Sequence, residues 1–168
     1  MDPVEFVLLD TPQSLAAVRE IAAVVWPPTF APILSQEQIE YMMDMMYAPE
    51  VMERELADGY RFELLRIGGR NAGYISYSQY AGHPGTAKLH KVYLLPDFHG
   101  QGYGQRMLDH AQEQCRKLGY AFIRLNVNKH NVRAIKAYER NGFETVEAVK
   151  VPIGGGFFMD DFIMRKPL

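Results

Sequence analysis

The spacing of apolar residues changes along the chain and predicts alternating strands and helices. Near the N-terminus, "VEFVLLD" is a short apolar run typical of a strand. From Pro12 to Val25, apolar residues recur every three or four positions, which is typical of one face of a helix. The segment "WPPTFAP" is expected to end this helix, because adjacent prolines cannot continue it.

Two more helices are predicted before the chain becomes rich in strands. Ser35 and Gln38 have the spacing of a capping box, which indicates a helix start. The apolar positions of this helix are Ile39, Met42, Met43 and Met46. Pro49 is expected to begin the next helix, which ends near Gly59.

The middle of the chain predicts three strands, which are "RFELLRI", "NAGYISYSQY" and "AKLHKVYLL". The first two are separated by a Gly68-Gly69 turn and are typical of a hairpin, and "AGHPG" is read as the turn before the third. A glycine-rich loop follows Pro96 and leads into a helix that is expected to end at Gly119.

The last third of the chain predicts one strand, one helix and two closing strands. "AFIRLNV" is a buried-looking strand, and Asn131 is suited to cap the helix "VRAIKAYERN", which Gly142 ends. "FETVEAVKV" and "FFMDDFIMRK" flank the turn "PIGGG". Together the elements predict a single α/β domain over residues 1–168 with a mixed sheet.

The composition excludes several classes of protein. Hydrophobic residues make up 48% of the chain and charged residues 23%, as in an ordinary globular domain. A net charge of -2 argues against a nucleic-acid partner, and no run approaches the roughly 20 apolar residues of a membrane span. The N-terminus lacks a signal-peptide pattern, and the single cysteine, Cys115, excludes an internal disulfide. We therefore expect a cytoplasmic protein.

The charges are unevenly distributed. Between Ser35 and Asp58 there are seven acidic residues against one basic residue, whereas between Thr86 and Asn141 there are ten basic and four acidic residues. This pattern fits either two differently charged partners or ordinary solvated helix faces.

The loop "HGQGYG" has glycines at alternating positions, Gly100, Gly102 and Gly104. It lacks the Lys-Ser/Thr pair of a nucleoside-triphosphate loop. It also lacks a third glycine at Gln105, where a dinucleotide fingerprint needs one. Two interpretations remain open: a tight turn, or a loop whose amides from about Gln101 to Gly104 bind a diphosphate ahead of a helix.

A second motif, "LNVNKHNVRAIKAYERNGF", helps to decide between these two interpretations of the loop. Together with the loop, the sequence resembles the GNAT superfamily of acyl-CoA-dependent N-acyltransferases, with His99 standing where that family usually has Gln or Arg. The residues that match the family's second motif are Asn131, Ala134, Tyr138, Gly142 and Phe143.

The resemblance implies a mostly antiparallel sheet of about seven strands, with a splay between the strands on either side of the glycine-loop helix. It also implies acetyl-CoA (coenzyme A) as the co-substrate and direct attack by an amine in a ternary complex. No metal is predicted, because the five histidines show no ligand spacing. The cofactor-binding residues that it implies are Tyr93, Leu94, His99, Gly100, Gln101, Gly102, Tyr103, Gly104, Asn131 and Arg133.

The resemblance makes Tyr138 the acid for the departing thiolate, since a phenol of pKa about 10 and a thiol of pKa about 8.5 are close. A core tyrosine is the alternative. Many family members use a glutamate on the strand before the loop as the base, and "TAKLHKVYLL" has none. His90 is a local substitute, and Asn126, Asp160 or Asp161 could hold a water, so the base is left unassigned.

The expected acceptor is a primary amine, and the acidic helices favour a polyamine or other small cationic amine. The residues predicted to contact it are Trp26, Phe30, Asn126 and Asp160. Three other hypotheses stay open: acetylation of protein N-termini or lysines, a non-catalytic acyl-CoA sensor, and a homodimer, which is a habit of the family.

Overall fold

The computed structural model describes residues 2–168 and confirms the predicted fold class. Seven strands form a mostly antiparallel sheet, accompanied in the described part of the chain by five α-helices. The strands are β1 (Val4–Leu9), β2 (Arg61–Ile67), β3 (Arg70–Tyr80), β4 (His83–Leu94), β5 (Phe122–Asn128), β6 (Glu144–Gly154) and β7 (Phe157–Pro167). The helices are α1 (Ala16–Phe30), α2 (Gln36–Tyr47), α3 (Pro49–Ala57), α4 (Tyr103–Lys117) and α5 (Val132–Arg140).

The chain divides into two compact units. The prediction of one domain over residues 1–168 stays a prediction. Unit 1 contains the residues up to Ser78 together with Leu89–Glu113, and its strand order is β1-β2-β3-β4. Unit 2 contains Gln79–Lys88 and Gln114–Leu168, and its strand order is β4-β5-β7-β6. Strand β4 therefore contributes its first half to unit 2 and its second half to unit 1.

Unit 1 is built on a meander whose strands β2 and β3 are buried on both faces. Strand β1 pairs antiparallel with β2, and β2 pairs antiparallel with β3. Side chains from β2, β3 and α1 are almost fully buried, among them Trp26, Phe62, Leu65, Tyr74 and Ile75. Burying large apolar side chains is the main favourable contribution to folding.

The predicted starts and ends of several helices are confirmed. The Ser35 side chain accepts a hydrogen bond from the Gln38 amide, 3.1 Å away, at the start of α2. Pro49 is the first residue of α3. In unit 2, Asn131 caps α5, and Gly142 follows it with a φ of 90°, a conformation that favours glycine.

Helix α1 does not end before the prolines, so that prediction was wrong. The helix continues through Pro27 and Pro28 to Phe30. Both prolines and the preceding Val24 are exposed, so the carbonyl groups that lose their intrahelical donors lie on the solvent side, where water can bond them. Burial of Trp26 and Phe30 on the opposite side favours the helical continuation.

Strand β4 begins earlier than predicted. The sequence "AGHPG" is read as a turn, but β4 already starts at His83 and includes Pro84. A short turn is sufficient here, because Gly82 adopts a φ of 80° that lets the chain reverse within two residues.

Unit 2 has β7 between two antiparallel neighbours, β5 and β6. Most of β6 is exposed, including Val146 and Val151. Cys115 in α4 is buried, as its position on the apolar face of that helix predicts. Among residues 2–168, no helix combines the length and the apolar character needed to cross a membrane.

Candidate functional site

The glycine-rich loop forms the entry to α4 in unit 1. Gly100 and Gly102 have φ values of 75° and 85°, which side chains other than glycine rarely adopt. The backbone N–H of Arg106 donates a hydrogen bond to the carbonyl oxygen of Gly102, 3.2 Å away, at the start of the helix. The N–H groups at the start of a helix have no intrahelical acceptor, so this loop end presents donors to an anion.

The space beside the loop is open. A Cβ atom placed on Gly100, Gly102 or Gly104 would meet no other atom within 4 Å. At Gly104 the backbone is helical and the φ does not require glycine. The absence of a side chain at Gly104 thus leaves room next to the helix amides, as a cradle for a diphosphate requires.

His99 fixes the loop to the end of β4. Its Nε2 lies 2.8 Å from the carbonyl oxygen of Leu94, and a carbonyl only accepts, so Nε2 carries the hydrogen. The Gln101 side chain donates to the carbonyl of Asp97, 3.2 Å away. A phosphate contact by His99 would therefore have to use Nδ1, and it stays a prediction.

The end of β4 lies against a glycine of β3 that the sequence analysis did not single out. A Cβ on Gly73 would come within 2.6 Å of the Tyr93 carbonyl oxygen and 3.0 Å of the Met107 methyl carbon. The Leu95 amide donates to the carbonyl of Ala72, 2.8 Å away. A glycine inside a strand often marks such a close backbone approach, and this was the available signal. Gly73 therefore fixes where Tyr93 and its neighbour Leu94 lie.

A hydrogen-bonded aromatic cluster supports Tyr93. The Trp26 indole donates to the Tyr47 hydroxyl at 2.9 Å, and the Tyr47 and Tyr74 hydroxyl oxygens are 2.6 Å apart. Burial raises the pKa of both tyrosines well above the ordinary value, so both stay protonated. The Tyr93 ring lies 5.5 Å from Tyr74 and 6.4 Å from Phe30.

This cluster places Trp26 and Phe30 in the core of unit 1. They are 1% and 7% exposed. This burial shows that both residues pack in the core, and their contact with an acceptor stays a prediction. His90, the local candidate for a base, lies 2.7 Å from the Ser78 hydroxyl and stacks on Tyr60.

Helix α5 carries the second motif in unit 2. The Asn131 side chain accepts from the Ala134 amide at 3.4 Å, so it caps the helix. Arg133 is exposed in the first turn of that helix. Tyr138 is partly buried, and its ring meets Phe143 edge-on at 5.7 Å. The structure thus shows how Asn131 and Tyr138 cap and pack the helix, and their contacts with coenzyme A stay predictions.

The environment of Tyr138 changes its expected chemistry. Burial raises the pKa of its phenol to about 12. Complete proton transfer to a thiolate, whose thiol pKa is about 8.5, would therefore be unfavourable by roughly 5 kcal/mol. At neutral pH the hydroxyl is a stable hydrogen-bond donor, and donation to a developing thiolate is what it can supply.

Asp160 and Asn126 lie on opposite faces of the sheet in unit 2. The register of β5 and β7 places Asn128 opposite Asp161, so Asn126 shares the face of Asp161 and Asp160 points to the other face. The Asp160 carboxylate bonds to the Lys129 ammonium at 2.6 Å, and that bond lowers its pKa. These two acceptor-contact candidates are thus on different surfaces of the strands.

Metal-ligand geometry is also informative. Over residues 2–168, no group of three or more His, Cys, Asp or Glu side chains is arranged to hold a metal ion.

Comparisons with a family model and with known proteins all identify similarity to acetyltransferases. A family model described as the acetyltransferase (GNAT) family matches residues 15–143. The spermidine N(1)-acetyltransferase of Thermoplasma acidophilum is 28% identical over 156 residues, which cover 92% of this chain and 91% of that protein. A stretch of 57 residues, 34% of this chain and 38% of the relative, is 37% identical to the ribosomal protein bS18-alanine N-acetyltransferase of Escherichia coli.

A solved structure extends the likeness to the whole fold. The crystal structure of PaiA N-acetyltransferase from Thermoplasma acidophilum in complex with coenzyme A superposes with a TM-score of 0.78 at 25% identity. The match covers 98% of this chain and 99% of that chain.

Proposed function

Because the chain belongs to the acetyltransferase (GNAT) family of acyl-CoA-dependent N-acetyltransferases, we propose that it acetylates a primary amine of a small cationic molecule such as a polyamine. The observation that carries this choice of acceptor is the likeness to a spermidine N(1)-acetyltransferase along nearly the full length of both chains.

The charge of α2 and α3 supports a cationic acceptor. Their exposed acidic side chains are Glu37, Glu40, Asp44, Glu50 and Glu53. Clustered charges of one sign raise the local concentration of ligands of the opposite sign and speed their association. A polycation would gain more from this field than a neutral or singly charged amine.

The glycine loop is assigned to the diphosphate of coenzyme A. The open space at Gly100, Gly102 and Gly104 and the N-terminal position of the loop at the start of α4 fit such a group. When bound, coenzyme A supplies an acetyl group activated as a thioester. Arg106, Lys129 and Arg133 are the candidates for its outlying phosphate, although Lys129 is already paired with Asp160.

The transfer itself is assigned to groups at two places. The backbone N–H groups of Tyr93 and Leu94 would donate to the carbonyl oxygen as negative charge develops, which is commonly the largest electrostatic contribution in acyl transfer. The Tyr138 hydroxyl would donate to the departing sulfur. Since its pKa of about 12 keeps it protonated, it is ready to donate across the neutral range.

We expect purified protein to acetylate spermidine and related polyamines, with kcat/KM falling about tenfold as salt rises from low to high concentration. Salt screens the attraction between the acidic helices and the acceptor. The measurement is a coupled assay for free coenzyme A over a panel of amines and salt concentrations.

The charge hypothesis has a matched pair of variants. Neutralising α2 by Glu37→Gln, Glu40→Gln and Asp44→Asn should raise the KM for spermidine several-fold. Neutralising three exposed acids outside α2 and α3, by Glu113→Gln, Glu139→Gln and Glu144→Gln, changes the net charge equally and should leave that KM within about twofold.

The local likeness to a ribosomal protein alanine acetyltransferase favours a second candidate, a protein N-terminus as the acceptor. Peptides with a free N-terminal alanine therefore belong in the amine panel. Turnover of such peptides with none for spermidine would overturn the polyamine proposal while leaving the acetyltransferase assignment intact.

The loop assignment predicts opposite effects of Gly104→Ala on stability and on cofactor affinity. Because Gly104 is helical and its surroundings are open, alanine should stabilise the protein by about 0.5–1 kcal/mol. The added methyl group should nevertheless weaken coenzyme A binding about tenfold by occupying the cradle. Thermal unfolding and titration calorimetry measure the two quantities.

A matched glycine tests whether position matters. Gly85, in β4, also has open space beside it and a φ that does not require glycine. Gly85→Ala should leave coenzyme A affinity unchanged. Equal affinities for wild type and Gly104→Ala would contradict the placement of the diphosphate against these amides.

A further inference from the structure

Several polar side chains lie next to one another on one face of the sheet in unit 2, beside the apolar Ile163 that is opposite Asn126. In β5, Asn126 and Asn128 lie on this face, whereas Leu125 and Val127 are buried on the other. Strand β7 pairs antiparallel with β5, and Asn128 is directly opposite Asp161. Since directly opposed residues share a face, Asp161 belongs to the same polar row.

Asp161 is a nearly buried carboxyl group within this row. Its residue is 5% exposed, and burial raises the pKa of its side chain. Repulsion from Asp160 acts in the same direction, while a hydrogen bond from Asn126 and attraction to Lys88 and Lys129 oppose it. The carboxylate is therefore held by one amide and by nearby cations.

The charges around Asp161 are balanced. Burial and repulsion from Arg124 lower the pKa of Lys88. Attraction to Asp161 acts in the opposite direction, because it favours the charged form of the lysine. Arg124 in turn lies 3.9 Å from Glu147 and stacks over the Tyr80 ring at 4.2 Å. An approaching ligand would thus meet the exposed amide of Asn126 rather than an unbalanced charge.

The hydrogen bond to Asp161 fixes which way the Asn126 amide points. An ionised carboxylate only accepts, so Asn126 must turn its NH₂ group toward Asp161. The carbonyl oxygen of the same amide then points away from the carboxylate. Because Asn126 is exposed, this oxygen is available to a donor from solvent.

We propose that Asp161 is a positioning residue that orients Asn126, so that Asn126 Oδ1 accepts an N–H from the amino group of the acetyl acceptor. The inference rests on the proposed function, since it needs an amine substrate. Asp161 itself does not touch the amine in this proposal, and it acts through the amide.

An oriented carbonyl suits an amine that must attack as the free base. The amide oxygen takes no proton near neutral pH, so it aligns the N–H, and with it the lone pair, without removing the proton. Holding the nucleophile in one orientation before attack lowers the entropic part of the barrier.

The first test compares Asp161→Asn with Asn126→Ala. Each should raise the KM for the amine about tenfold while changing the KM for acetyl-CoA less than twofold. The double variant should be no worse than Asn126→Ala alone, because both act through one hydrogen bond. Full addition of the two effects would overturn the proposal.

The second test uses the pH profile. Because burial raises the pKa of Asp161, its orienting charge is present above that pKa and is lost as the pH falls through it. The ratio of kcat/KM for wild type to that for Asp161→Asn should therefore fall toward one on acidification. Taking the ratio removes the titration of the amine itself, and a ratio independent of pH would count against the proposal.

A matched control is available in α4. The Gln105 amide donates to the exposed Asp109 carboxylate at 2.8 Å, which is the same type of pair. Asp109→Asn should leave both KM values unchanged. Melting temperatures of all variants identify any loss that comes from folding, and Asn126→Ala, at an exposed position, keeps the test valid if Asp161→Asn unfolds.

A third measurement separates this inference from the proposed function. In the wild type, the side-chain amide NMR signals of Asn126 should shift with pH as Asp161 titrates, and Asp161→Asn should abolish the shift. If no amine is acetylated, the proposed function fails and the acceptor contact fails with it. If amines are acetylated but the amide signals do not titrate, only the orientation by Asp161 is overturned.

Discussion

Tyr138→Phe should lower kcat about 100-fold while coenzyme A affinity stays within about twofold of the wild type. The substitution removes one hydroxyl and keeps the ring that meets Phe143 at 5.7 Å. A 100-fold loss is at the lower end of the effects that acid catalysis usually has on rate. It is expected here because a phenol of pKa about 12 assists the departing sulfur by hydrogen bonding more than by complete proton transfer. Steady-state kinetics and calorimetry with coenzyme A give the two values.

The control for a lost hydroxyl is Tyr80→Phe. Tyr80 packs against Arg124 and His83 in unit 2 and has no role in the proposed transfer, so kcat should be unchanged. A Tyr138→Phe enzyme with wild-type kcat would remove the assignment of Tyr138. Loss of coenzyme A binding would instead mean that its hydroxyl helps to hold the cofactor.

Gly73→Ala should lower the free energy of unfolding by about 2–3 kcal/mol and the melting temperature by roughly 5–10 °C. A Cβ at this position would lie 2.6 Å from the backbone oxygen of Tyr93, so strands β3 and β4 have to separate. The same movement displaces the predicted amide donors of Tyr93 and Leu94, so kcat should fall as well. Thermal unfolding measures the change in stability, and an acetylation assay with spermidine or another accepted amine measures the change in kcat.

Gly85→Ala provides the comparison for Gly73→Ala. Both glycines lie inside strands and neither has a positive φ, but no atom lies within 4 Å of a Cβ on Gly85. Alanine should therefore be neutral or slightly stabilising at residue 85. Similar stabilities for the two variants would mean that β3 and β4 tolerate the extra methyl group and that the close approach is not a constraint.

The order of elements could be predicted from the sequence because local signals coincide with it. Ser35 and Asn131 cap the helices that their positions indicate, and Gly142 ends α5. The continuation of α1 through Pro27 and Pro28 could not be predicted in this way. It depends on which side of the helix is buried, and that is decided by tertiary packing.

The candidate site was predictable only in part. The glycine loop and the α5 motif are each contiguous in sequence, so both could be matched to the family's motifs without knowledge of the fold. The contacts of Gly73 with Tyr93 and of Lys88 with Asp161 join strands far apart in the chain, so they could be found only from the structure. Asp161 itself was named from the sequence, but its hydrogen bond from Asn126 was not. The sequence also could not show that His99 Nε2 is hydrogen-bonded to the carbonyl oxygen of Leu94, so that Nδ1 is the atom left for the predicted phosphate contact.

The aromatic cluster of unit 1 has a spectroscopic consequence. Trp26 is the single tryptophan of the chain, and its indole N–H is bonded to Tyr47 in a nearly dry environment. Its fluorescence therefore reports on unit 1 alone, and it shifts to longer wavelength when water reaches that core. Circular dichroism follows the strands of both units, so comparing the two signals during unfolding reveals whether the units lose structure together or one after the other.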